Sequence, residues 1–111
     1  MEKISFNNWK KLKLKVGNII NVERIPKTDK LFKLQIDIGE DKPVQSITSL
    51  VPYYSAEELQ NQKIIVLVNL EPTKFAGELS EAMLLCAEKE DASECVLLTV
   101  LKDIDVGTPI T

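Results

Sequence analysis

Residues 32 to 38 read FKLQIDI and place Phe32, Leu34, Ile36 and Ile38 on one side of an extended chain, with Lys33, Gln35 and Asp37 on the other. Strict alternation of this kind describes a β-strand with one buried face and one wet face. A strand so patterned needs partners, and the chain supplies them. Leu12, Leu14 and Val16 alternate with Lys13 and Lys15, Gly17 interrupts, and Asn18 to Glu23 resumes. A glycine inside a strand predicts a bulge or strong bend, as in a small barrel where one long strand serves both sides. After the turn at residues 39–43, Val44 to Thr48 reads as the returning arm of a hairpin. Ile64 to Val68, Ala82 to Ala87 and Val96 to Val100 add further apolar strands, and residues 69–83 (NLEPTKFAGELSEAM) read as a polar loop between two of them.

Helical signals are short. Ser55 with Glu58 three residues later forms a capping-box pattern for a brief mid-chain helix. Ser5 is placed to cap a turn within residues 4–12, expected to pack Phe6 or Trp9 against the core. With 111 residues, 44% of them hydrophobic, the chain supports one modest core. The expected fold is a single all-β barrel domain over residues 1–111. Residues 1–11 form a lead-in, and roughly 90–111 form an apolar C-terminal extension suited to subunit pairing.

Composition narrows the chemistry. There is no histidine, and the four glycines at 17, 39, 77 and 107 are too dispersed for a phosphate-cradling loop. Cys86 and Cys95 lack a C-x-x-C arrangement, so they read as reduced thiols in apolar surroundings rather than metal ligands. No catalytic residue, metal or cofactor is expected, and binding is the favoured class. No apolar run approaches the roughly 18 residues of a membrane span, which predicts a soluble cytoplasmic protein. The net charge of −3 hides a gradient: residues 1–33 carry nine basic side chains against three acidic, and residues 71–111 carry three against nine. A focused basic patch is therefore available around Lys13, Lys15, Lys27, Lys30, Lys33 and Lys74, with plain surface solvation as the alternative for each lysine.

Four motifs occur in order: Leu14-Lys15-Val16-Gly17, Pro26-x-x-Asp29-Lys30-Leu31-Phe32, Asn69-Leu70-x-Pro72-x-Lys74-x-x-Gly77 and Ser80-Glu81-x-Met83-Leu84-Leu85. Together they resemble the small tRNA-binding domain that occurs as stand-alone dimers and as a C-terminal or β-subunit part of methionyl-tRNA synthetase. The resemblance implies an oligonucleotide/oligosaccharide-binding (OB) barrel with extra C-terminal strands. It also implies a noncatalytic protein that recognises tRNA by shape and backbone, either as a stand-alone tRNA-binding homodimer or as the β subunit that partners a methionyl-tRNA synthetase. Lys15, Lys30 and Lys74 become phosphate contacts. Asn69 and Ser80 become polar contacts at the RNA face, or else ties within their own loops. Met83 becomes an apolar contact to an exposed base, although its position before Leu84-Leu85 equally suits a core side chain.

The family's usual central loop is close to Asn-Leu-Lys-Pro-Arg-Lys-Leu-Arg-Gly, whereas this chain has Glu71, Thr73 and Ala76 at the three other basic positions. Lys15 also stands where strong tRNA binders usually have Arg, Ala82 where a Gly is usual, and Thr48-Ser49 where Ser-Gly is usual. Fewer cations lower nonspecific affinity for RNA and its salt dependence. This motivates the alternative of a protein- or peptide-binding chaperone or adaptor of the same family.

Overall fold

In the computed structural model, which describes all of residues 1–111, alternation becomes a strongly bent antiparallel sheet. Strands β1 (Leu14–Arg24), β2 (Phe32–Asp37), β3 (Val44–Thr48), β4 (Lys63–Leu67) and β7 (Met83–Leu84) lie in the order β3-β2-β1-β4-β7. Two hairpins stand outside this path: β5 (Thr73–Phe75) with β6 (Glu78–Ser80), and β8 (Cys86–Glu88) with β9 (Cys95–Leu97). A short β10 (Pro109–Ile110) pairs with the start of β1. The result is a nearly closed five-strand OB-type barrel.

The long β1 serves both sides, as expected: residues 14–18 pair with β4 and residues 18–24 with β2. The register shift lies between Ile19 and Asn21, not at Gly17. Gly17 has a different task, because a Cβ built there would sit 2.7 Å from Ile36 Cγ2. The sheet curls so tightly that β2 side chains press on the β1 backbone, and only a residue without a side chain fits. Leu34, Ile36, Ile19 and Val66 are fully buried behind it.

The mid-chain helix α2 (Ala56–Leu59) carries the reciprocal cap: Glu58 N donates to Ser55 Oγ at 3.1 Å and Ser55 N donates to Glu58 Oε1 at 2.9 Å. Its Leu59 enters the main core with no exposed surface. The first helix, α1 (Phe6–Lys11), has the expected Ser5 cap but buries nothing. Phe6 is 72% exposed and Trp9 38%, so neither packs into the core. They border a groove together with Leu14 and Ile110, which belong to a small second core around Val16 and Ile65.

The segment from Ala82 to Ala87 is two strands rather than one. Leu84 belongs to the barrel and Cys86 to the outer hairpin, which Tyr53 and Tyr54 fasten down. Tyr53 Oη donates to the Ala92 carbonyl (2.7 Å), and Leu97 N donates to Tyr54 Oη (3.1 Å). The C-terminal stretch is held by Lys63, whose Nζ donates to Asp103 Oδ1 (2.6 Å) and to the Ile104 carbonyl. That bond holds the Asp103 carboxyl below its ordinary range. No helix is long and apolar enough to cross a membrane.

Candidate functional site

The barrel closes where the free edge of β3 meets β6 and β7, and it does so largely with side chains. One backbone bond crosses the seam, from Glu81 N to the Gln45 carbonyl (2.8 Å). The rest is polar stitching. Gln45 Nε2 donates to the Leu79 carbonyl (2.7 Å), and Gln35 Nε2 donates to Gln45 Oε1 (2.8 Å). Ser46 Oγ donates to the Ala82 carbonyl (2.8 Å), while Ile47 N donates to Ser80 Oγ (3.1 Å). Buried backbone groups demand partners, and here two serines supply what a ladder would otherwise provide.

Imperfect closure leaves a cavity of about 390 Å³ along the seam. Its walls come from β3 and its exit (Ile47, Thr48, Leu50), from β5 (Thr73, Phe75), from the run Ser80 to Leu84, and from Cys86, Glu88 and Cys95 of the outer hairpin. Most of the lining is apolar. Thr48 Oγ1 is buried and has no hydrogen-bond partner. Burial, and then Cys95 alongside, push the Cys86 thiol up to about 12, so it stays protonated and unreactive. Phe75 and Met83 are half exposed.

The polar loop expected at residues 69–83 contains the β5–β6 hairpin. Ala76 and Gly77 form its two-residue tip, both with positive φ (52° and 81°). Hairpin turns of this kind match the strand twist, which suits Gly77 well and strains Ala76. On β5 the pleat turns Thr73 and Phe75 toward the cavity and Lys74 away from it.

The six residues singled out by sequence fall into two groups. Ser80 and Met83 line the seam cavity, while Lys30 and Lys74 adjoin its lining residues Leu31, Thr73 and Phe75. Both lysines are exposed and neither forms an ion pair. Lys15 and Asn69 lie elsewhere. Lys15 pairs with Glu40 at 3.4 Å and lines a groove beside α1. Asn69 joins β4 to the lead-in: its Oδ1 accepts from Lys13 N (2.9 Å) and its Nδ2 donates to the Lys11 carbonyl (2.7 Å). Ser80 is 4% exposed, its oxygen already engaged by the Ile47 amide, so both polar side chains are ties within the fold. Met83 is 54% exposed and is therefore not a core side chain. Lys33 is held between Glu23 (3.5 Å) and Glu78 (3.6 Å), which removes it from the free cations.

Sequence reasoning gave no role to Thr48, Phe75 or Glu88. For Phe75 a signal was present, since an aromatic two residues before the glycine of a polar loop is out of place unless it packs on something. Thr48 and Glu88 are far apart in the chain, and nothing local announces that they share a cavity.

A single small barrel with one open, lined seam is the architecture of an OB-type binding domain. Residues 14–109 match the family model described as "Putative tRNA binding domain". The chain is 43% identical over 110 residues to a methionine–tRNA ligase of Methanocaldococcus jannaschii, covering 99% of this chain and 17% of that protein. It is 38% identical over 109 residues to the corresponding ligase of Archaeoglobus fulgidus, covering 98% of this chain and 16% of that one. The chain thus spans about a sixth of the length of these curated relatives. Among solved structures, a MetRS-related protein from Pyrococcus horikoshii superposes with a TM-score of 0.92 at 35% identity, over the whole of both chains. The chaperone CsaA from Bacillus anthracis superposes with a TM-score of 0.87 at 30% identity, over 99% of this chain and 100% of that one. The chain belongs to the tRNA-binding domain family.

Proposed function

We propose that the chain is a noncatalytic tRNA-binding module that works in the cytoplasm beside methionyl-tRNA synthetase, holding tRNA by shape and backbone. The observation that carries this reading is the open seam flanked by two unpaired lysines, in a chain aligned along its length with part of several methionine–tRNA ligases. Lys30 and Lys74 meet phosphates as point charges. Met83 offers an apolar contact to RNA, and Ser80 acts as a positioning residue that fixes the seam. Lys15 contributes a weaker contact, since phosphate must compete with Glu40 for it. Asn69 serves by fixing the entry into β1.

A tRNA titration at two salt concentrations, with duplex DNA as competitor, tests the reading. The expected result is salt-sensitive binding to tRNA exceeding that to DNA. Lys30→Ala and Lys74→Ala should each lower the slope of log affinity against log salt by about 1. Equal and negligible affinity for both nucleic acids sinks it.

A homodimer is part of the proposal. Phe6, Trp9 and Leu12 of the lead-in border a groove floored by Leu14, Pro109 and Ile110, and Leu101 and Ile104 are exposed nearby in sequence. Sedimentation of the full chain as a monomer at micromolar concentration would remove the dimer without touching the RNA reading. The acidic residues around the seam (Glu71, Glu78, Glu81 and Glu88) favour a second reading, a protein-binding adaptor. Protein partners retained after nuclease treatment would favour it over the first.

A further inference from the structure

We infer that Gln45 is a positioning residue for RNA binding: through the Leu79 carbonyl it fixes the β5–β6 hairpin and so sets where Lys74 is presented. The inference rests on the tRNA-binding reading for its ligand and goes beyond it in naming the side chain that places one of the proposed phosphate contacts. The hairpin needs such an anchor. Strand β5, which carries Lys74, has no strand partner but β6, and all three of its residues are exposed. Apart from the chain on either side, its place relative to the barrel is set through β6.

By register, Lys33, Gln35, Gln45 and Ile47 share one face of the β2–β3 pair, opposite Leu34 and Ser46. Every residue of β6 is tied to that pair of strands: Glu78 to Lys33, the Leu79 carbonyl to Gln45, and Ser80 Oγ to the Ile47 amide. The ties differ in weight. The Lys33–Glu78 pair is a surface contact at 3.6 Å, and such pairs contribute little. Ser80 is buried at the root of the hairpin. The middle tie falls on Leu79, the residue that pairs with Lys74. In a two-residue hairpin the closing pair, here Phe75 with Glu78, exchanges the backbone bonds, so Lys74 and Leu79 exchange none and the Leu79 carbonyl points away from β5. Gln45 Nε2 donates to that carbonyl at 2.7 Å. The Gln45 amide is itself oriented, because its Oε1 accepts from Gln35 Nε2 at 2.8 Å, which leaves the nitrogen to face Leu79. A lysine gives up side-chain freedom to hold a phosphate, and a strand beneath it that also had to be ordered would add to that cost. Gln45 removes the second part before the ligand arrives.

The test combines amide relaxation of the full chain with a double-mutant cycle on tRNA affinity. Gln45→Met keeps the side-chain length, and the seam keeps its backbone bond because Glu81 N still donates to the carbonyl at position 45. The variant should lower the order parameters of the amides at positions 73–79 from about 0.85 to below about 0.6, and leave those of Leu34 and Val66 unchanged. Gln45→Glu still accepts from Gln35 but has no proton to give Leu79, so it should loosen the hairpin equally. Affinity for tRNA should fall about fivefold in Gln45→Met and about tenfold in Lys74→Ala. Adding Gln45→Met to Lys74→Ala should cost less than a further factor of about two, since the lysine it positions is gone. Gln35→Leu, which frees the Gln45 amide to turn, should weaken tRNA about twofold by the same route, and it stays decisive if Gln45→Met does not fold.

The inference is overturned if the hairpin amides stay rigid in both Gln45 variants. It is also overturned if the two losses multiply to about fiftyfold in the double variant, which would mark a general weakening of the seam and not the placement of Lys74. Wild-type affinity for tRNA in Gln45→Met, with the hairpin loosened, overturns it as well. If the hairpin loosens as expected and the wild-type chain binds no tRNA, Gln45 stands as the anchor of the hairpin and the tRNA reading falls.

Discussion

The barrel has two kinds of seam. Where β1 meets β2 and β4, backbone ladders run the length of the strands and aliphatic side chains fill the space behind them, with Leu34 and Val66 fully buried. Where β3 meets β6 and β7, one backbone bond and a set of serine and glutamine side chains do the closing, and a cavity remains. Ladders satisfy every peptide group in a repeating way and leave no room for a guest. Side-chain stitching satisfies only chosen groups, and the gaps between stitches leave open space. The difference separates the part of the molecule that makes it stable from the part that we propose lets it bind.

That contrast can be broken or sharpened by substitution. On the aliphatic side, Leu34→Ala should cost about 3 kcal/mol of unfolding free energy in urea, since a fully buried leucine leaves a cavity that the curled sheet cannot collapse. A loss below about 1 kcal/mol would mean that the core is loosely packed. On the stitched side, Ser80→Ala should cost about 2 kcal/mol, because the Ile47 amide is left buried without an acceptor. If that variant is as stable as wild type, Ser80 is not a closing element and its place in the site needs another reason.

The hairpin tip offers a gain instead of a loss. Ala76→Asn should raise stability by about 0.5–1 kcal/mol, since asparagine tolerates the left-handed backbone that alanine resists and Asn-Gly suits a two-residue turn. Thermal unfolding would show it as a small rise in Tm. The smallest effect is expected at Thr48→Val, within about 0.5 kcal/mol and on the stabilising side, because the hydroxyl removed has no partner to lose. Ser80 and Thr48 thus bear seam hydroxyls of opposite sign, one needed by the fold and the other without a partner in it. A loss of 1 kcal/mol or more at Thr48→Val would erase the distinction.

Much of the barrel is legible before any coordinates. FKLQIDI is a strand with one buried face because alternation admits no other regular structure, and Ser55 with Glu58 forms the reciprocal cap that its spacing requires. The candidate site is legible only in part. Ser80 and Met83 sit on the seam, while Lys15 and Asn69 lie on the side facing α1. A motif in the chain records which residues occur together in sequence, not which face each one occupies. Phe6 and Trp9 illustrate the same limit: a capped amphipathic turn specifies a helix, but nothing local says whether core remains for it to cover.

By itself the sequence determined the main barrel strands, both short helices and a family pattern, because these depend on residue spacing and on groups a few positions apart. Only the tertiary structure decided that Gly17 yields to Ile36, that the 69–83 segment is a hairpin, and that Thr48, Phe75 and Glu88 share one cavity. Those outcomes depend on how far the sheet curls before its edges meet. That curvature is set by the packing of all the strands together and is written in no single stretch of the chain.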